Sequence, residues 1–102
     1  MKIELLYFED CPSYLAAEAW LREVLIEAKV SDPIEMIEVK TEADAQRRKF
    51  LGSPTIRFDG VDPFEQSEAG HGLGCRVYLT PDGLRGWLTK DMLRAALNKI
   101  VR

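Results

Sequence analysis

The chain is short of the features that mark several common function classes. It has one histidine, His71, and two cysteines, Cys11 and Cys75. No Cys or His stands at zinc-like spacing from His71, so no metal site is read from the sequence and His71 reads as a loop residue. Basic charge is not in excess: 14 Lys and Arg face 17 Asp and Glu, for a net charge of −3. That balance gives no general attraction to nucleic acid or to an anionic membrane. No apolar run approaches the ~20 residues that a membrane-spanning helix needs. The N-terminus carries Glu4, Glu9 and Asp10 and lacks the basic start and apolar core of a signal peptide, which predicts a cytoplasmic setting. In such a reducing compartment two cysteines are more often chemical than a structural staple. Repeats, low-complexity tracts and linkers are also missing. The 102 residues, 46% apolar and 30% charged, therefore read as one globular domain spanning 1–102.

The informative stretch is the first dozen residues. Ile3 to Phe8 is an apolar run with the length of a buried strand. Glu9 and Asp10 follow, then Cys11-Pro12, then an amphipathic pattern to Lys29. Proline at the first helical position is a start signal, which puts Cys11 where a strand hands over to a helix. Unpaired backbone N–H groups and the helix dipole favour a thiolate there. Glu9 and Asp10 oppose that if close, so a moderately acidic, reactive thiol is expected. The alternative is an inert, buried Cys11.

The first helix shows an apolar stripe of Leu15, Ala16, Ala19, Trp20, Val24, Leu25 and Ala28. Residues 34–39 read as a short strand. Thr41-Glu42-Ala43-Asp44 resembles a capping box opening a helix to about Leu51, with Gly52 as its C-cap. Ser53-Pro54-Thr55 leads into the strand Ile56–Phe58 and the turn Asp59-Gly60. Residues 61–74 form a loop, Cys75 to Leu79 alternates as a strand, Thr80-Pro81-Asp82-Gly83 is a turn, and Thr89 caps a helix from Lys90 to about Val101. Tyr7, Phe8, Trp20, Phe50, Phe58, Tyr78 and Trp87 read mostly as core. The predicted order is β-α-β-α-β-β-α: a right-handed βαβ unit, then a hairpin with a trailing helix, making a four-stranded mixed sheet covered on both faces.

Strand–Cys11-Pro12–helix, the Ser53-Pro54-Thr55 step and the closing hairpin with helix together resemble the thioredoxin-like fold. More narrowly, Gly52-Ser53-Pro54-Thr55, Asp59 to Phe64, and Cys75 to Tyr78 followed by Thr80 to Leu84 resemble small bacterial thioredoxin-like proteins, alkylmercury-lyase-like ones among them. The resemblance implies a cis Ser53–Pro54 bond facing Cys11, an uncommon conformation. It also implies that Ser13, Tyr14, Ser53 and Thr55 flank a substrate, with the Ser53 and Thr55 backbones open to an extended chain. Cys11, Pro12 and Pro54 are then the catalytic set.

The departure from that pattern is chemical. Cys11-Pro12-Ser13-Tyr14 has no thiol three positions on. What remains at this site is one-thiol chemistry: exchange with a disulfide or with a glutathione mixed disulfide, reaction with peroxide, or capture of a soft metal. No cofactor is firmly implied; glutathione is the candidate external thiol. The partner is a thiol or disulfide, small molecule or protein. A soft-metal (mercury-type) binding module and a non-catalytic interaction domain stay open as alternatives. Cys75 is a possible second thiol. If its strand runs back from the far end of a hairpin, however, five residues separate it from Cys11 by roughly 17 Å, beyond disulfide reach. Arg47-Arg48-Lys49 reads as a solvated face, or as a site for glutathione carboxylates.

Overall fold

The computed structural model describes residues 1–50, 52–64, 76, 78–86 and 88–100. Its elements run β1 (Ile3–Tyr7), α1 (Ser13–Glu27), β2 (Ile34–Glu38), α2 (Glu42–Arg48), β3 (Thr55–Phe58), β4 (Tyr78–Thr80), β5 (Gly83–Arg85) and α3 (Lys90–Ile100). The protein is a mixed α/β domain. β1 is central, pairing parallel with β2 and antiparallel with β3. Among the described residues no helix is long and apolar enough to cross a membrane.

The alternation of β1 decides the layering. Ile3 and Leu5 point into one core with Ala17, Leu21, Val24 and Leu25 of α1, Ile56 and Phe58 of β3, and Leu93 and Leu97 of α3. Leu6 points the other way, into a smaller cluster with Val39, Ala45 and Phe50, which α2 closes. A strand buried on both sides in this manner reads as a continuous apolar run rather than an alternating one. Helices thus cover both faces, as the sequence predicts. Of the aromatic residues, Phe50, Phe58 and Tyr78 are buried, Tyr7, Phe8 and Trp20 are partly so, and Trp87 lies outside the described residues.

Three expectations need correction. Among the described residues the sheet has three strands, not four. β4 pairs with β5 as a separate two-stranded ribbon whose ends, Thr80 and Gly83, flank the turn Pro81-Asp82. β3 and β4 do not pair there, and Phe58 exchanges both backbone bonds with Val61, 2.9 and 3.0 Å, across the Asp59-Gly60 turn. Both turn residues have positive φ, the requirement of a tight hairpin turn. The apolar stripe of α1 is rotated from the expected one: Ala17, Leu21, Val24 and Leu25 are buried, whereas Leu15 is 58% exposed. That helix is apolar on much of its circumference, so several stripes fit the sequence. Gly52 is not the C-cap of α2. Lys49 takes the left-handed conformation there, and Phe50 N–H returns to Ala45 carbonyl at 2.9 Å. The last carbonyls of α2, on Arg48 and Lys49, accept instead from Arg57 of β3.

The N-terminal caps follow the sequence. Thr41 Oγ1 accepts from Asp44 N–H at 3.0 Å and Thr89 Oγ1 from Met92 N–H at 3.1 Å. α1 and α3 are linked at the surface by Glu27, which receives Arg94 at 2.8 Å and Lys90 at 3.1 Å. Hydrogen bonds from Arg94, then Lys90, hold the Glu27 carboxyl down at about 2, against an ordinary value of 4.5. A lowered folded-state pKa means stability fully present above 4.5 and lost as pH falls through about 2. In Glu27→Gln the midpoint of thermal unfolding is therefore expected to fall less across that window than in the parent. Parallel declines would show that the α1–α3 pair does not form in solution.

Candidate functional site

The strand-to-helix junction lies where the sequence places it. Cys11 N–H bonds Phe8 carbonyl at 2.9 Å, closing a turn over the exposed Glu9 and Asp10. Pro12 is the N-cap of α1, and Ser13 its first residue. Across from this junction the Ser53–Pro54 peptide bond is cis. Cys11 Sγ stands 3.7 Å from the Ser53 carbonyl oxygen. The structure thus brings together Cys11, Pro12, Ser53 and Pro54.

The state of the sulfur differs from expectation. Cys11 is 2% exposed and disulfide-bonded. It is neither an exposed thiol nor, in this form, a titrating group, and its contact with Ser53 carbonyl is a packing contact without a proton. Cys75 lies outside the described residues, as do His71 and the rest of the loop after Phe64.

The flanking residues are engaged within the chain. Ser53 carbonyl already accepts Arg76 N–H at 3.0 Å, and Pro54 carbonyl accepts the Tyr78 hydroxyl. Thr55 Oγ1 donates to Gly52 carbonyl at 2.6 Å, and Ser53 and Thr55 are fully buried. Of the edge expected to meet an extended substrate, the Ser53 carbonyl and the neighbouring Pro54 carbonyl thus receive residues 76 and 78 of the protein itself. Ser53 Oγ is buried without a hydrogen-bond partner among the described residues. Tyr14, at the position of the missing thiol, stacks on Tyr7 with centroids 4.3 Å apart. Arg47 and Arg48 are bound to Asp44 and line a cleft of about 390 Å³ along α2 with Glu38 and Lys40.

Two residues that the sequence reading did not single out dominate the polar chemistry here. Arg76 NH1 meets Asp62 Oδ2 at 2.5 Å, with side-chain exposures of 4% and 7%. Arg76 NH2 donates to Phe64 carbonyl, and its guanidinium lies 4.5 Å from the centroid of the Tyr78 ring. Asp62 Oδ1 accepts Phe64 N–H at 2.7 Å. Burial pushes the Tyr78 hydroxyl well above the usual tyrosine range, so it stays protonated and donates to Pro54. The signal in the sequence was an arginine inside the apolar alternation of residues 75–79. Nothing local named its partner across a long loop. Among the described residues no group of three or more His, Cys, Asp or Glu is placed to hold a metal ion.

The close approach of Arg76 makes Gly52 indispensable. A Cβ at Gly52 would stand 2.7 Å from Arg76 N and 2.8 Å from its Cα, and φ at Gly52 is +116°. The backbone conformation alone costs a residue with a side chain about 1–3 kcal/mol, and the clash adds to it. Gly52→Ala is expected to lose at least that much in urea unfolding. Parent-like stability would mean that residue 76 does not lie against Gly52. Comparison with family models, with curated proteins and with solved structures finds no match for this chain.

Proposed function

We propose that this is a thioredoxin-like thiol–disulfide redox protein in which Cys11 is one sulfur of a reversible disulfide, with Cys75 as the other. The observation that carries the reading is the disulfide-bonded Cys11 at a strand-to-helix junction, 3.7 Å from the carbonyl that precedes a cis-proline. Cys75 is the only other cysteine of the chain, so a bond within it has no other partner. The missing thiol at Tyr14 is then replaced from a distant part of the sequence, and the one-thiol scheme becomes a two-thiol scheme.

The chemistry runs by exchange. A thiolate, glutathione for instance, attacks the Cys75 sulfur, since a Cys11 that is 2% exposed offers no line of approach. A sulfur–sulfur bond forms to the incoming thiol, the Cys11–Cys75 bond breaks, and Cys11 leaves with the electron pair. The N-terminus of α1 favours that thiolate. A second glutathione thiolate attacks the mixed disulfide and departs as glutathione disulfide, leaving two protein thiols once the solvent has supplied their protons. In the reverse sense the dithiol reduces a substrate disulfide to two thiols and closes again.

Two measurements test this. Peptide mapping without reductant is expected to yield the Cys11 peptide joined to the Cys75 peptide. Cys11→Ser is expected to reduce the rate of deglutathionylation of a model peptide to the uncatalysed background. Separate peptides, or a variant as active as the parent, would remove Cys11 from the proposed role.

A further inference from the structure

We infer that the buried Arg76–Asp62 pair is a positioning device for this redox site: it holds the chain at residue 76 against Ser53 so that the Cys11 disulfide is favoured over the open dithiol. The inference rests on the redox reading above and adds to it the residues that set the potential.

Arg76 joins three segments at once. Its backbone N–H reaches Ser53 carbonyl at 3.0 Å, its NH1 reaches Asp62, and its NH2 reaches Phe64 carbonyl. Tyr78, beneath the guanidinium at 4.5 Å, fastens the same strand to Pro54 carbonyl. Ser53 carbonyl is in turn 3.7 Å from Cys11 Sγ. Residue 75 is one peptide unit from Arg76, and consecutive α-carbons are 3.8 Å apart. The clamp therefore joins the backbone next to Cys75 to Ser53, the residue in contact with Cys11 Sγ.

A buried ion pair is a poor source of stability, because replacing it with apolar side chains of similar volume is often neutral or better. What a fork-shaped guanidinium with two fixed acceptors supplies is direction. Closing a disulfide depends on the effective concentration of one thiol at the other, and that rises when the backbone between them is already fixed. A clamp that survives reduction thus favours the closed form. Loosening it lowers the effective concentration and makes the disulfide easier to reduce.

The test is the equilibrium with dithiothreitol, in which protein disulfide and reduced dithiothreitol exchange for protein dithiol and oxidised dithiothreitol. Acid quenching and alkylation count the protein thiols. A substitution that weakens oxidised and reduced protein equally leaves this constant unchanged, so a merely structural role does not move it. In Asp62→Asn the constant for reduction is expected to rise at least tenfold, equivalent to about 30 mV, and in Arg76→Lys severalfold. Asp62→Leu/Arg76→Met removes both charges and avoids a lone buried one; it should fold even if Asp62→Asn fails to, and show the same rise. Glu27→Gln, on the far α1–α3 surface, is expected to keep the parent value. A constant within twofold of the parent in Arg76→Lys and in the double variant overturns the clamp while leaving the redox reading intact. A parent protein whose oxidised peptide map lacks the Cys11–Cys75 link overturns both.

Discussion

The backbone hydrogen bond from Arg76 to the Ser53 carbonyl is the constraint around which the site is arranged. It brings residue 76 so close to Gly52 that no side chain fits there. It fills one acceptor position of the carbonyl that faces Cys11 Sγ. Beyond it, β4 pairs with β5, and Phe58 at the end of β3 bridges to Val61 across the turn.

The parts legible in the sequence were those written locally. The double-faced burial of β1, the helix start at Pro12–Ser13, the caps at Thr41 and Thr89, and the Asp59-Gly60 turn each depend on residues within a few positions of one another. The junction of Cys11 with a cis Ser53–Pro54 bond came from resemblance and is seen in the structure. What stayed hidden was decided at a distance. A short turn dictates the partner strand and its register, but the stretch between Val61 and Tyr78 is long enough to leave both open. Assuming a hairpin there placed Cys75 far from Cys11. The observed position of Arg76 beside Ser53 removes the basis of that estimate. The stripe of α1 was ambiguous for another reason, because Leu15, Ala16, Ala19 and Ile26 add apolar surface outside the buried face.

Two influences bear on a negative charge at Cys11. The N-terminus of α1 favours a thiolate, by about 0.3–1 kcal/mol when exposed and up to ~2 when partly buried. Burial acts against any unpaired charge, with an effective penalty of several kcal/mol per ion. For a residue 2% exposed the second effect wins. The disulfide form seen in the structure carries no charge to desolvate. Glu9 and Asp10, exposed on the preceding turn, are screened by solvent and add little to this balance. In the sequence the dipole stands against those two carboxylates and against desolvation under Pro54; of the two opponents, the structure makes burial the larger.

Desolvation also governs the buried ion pair of Arg76, whose backbone N–H shares the Ser53 carbonyl with Cys11 Sγ. Arg76 and Asp62 are each stripped of most of their water, and their attraction has to offset a desolvation cost of several kcal/mol per ion. The additional bonds to Phe64 and the stacking over Tyr78, about 0.5–2 kcal/mol for the latter, bring the arrangement toward balance without a surplus. An apolar pair would hold the core together as well, but it would have no preferred direction and would let residue 76 slide along Gly52 and Ser53. The directional pair contributes a fixed distance between two backbone segments. Under the redox reading proposed above, the equilibrium of the disulfide depends on that distance, so fixed geometry with little net stability is the contribution such a site would use.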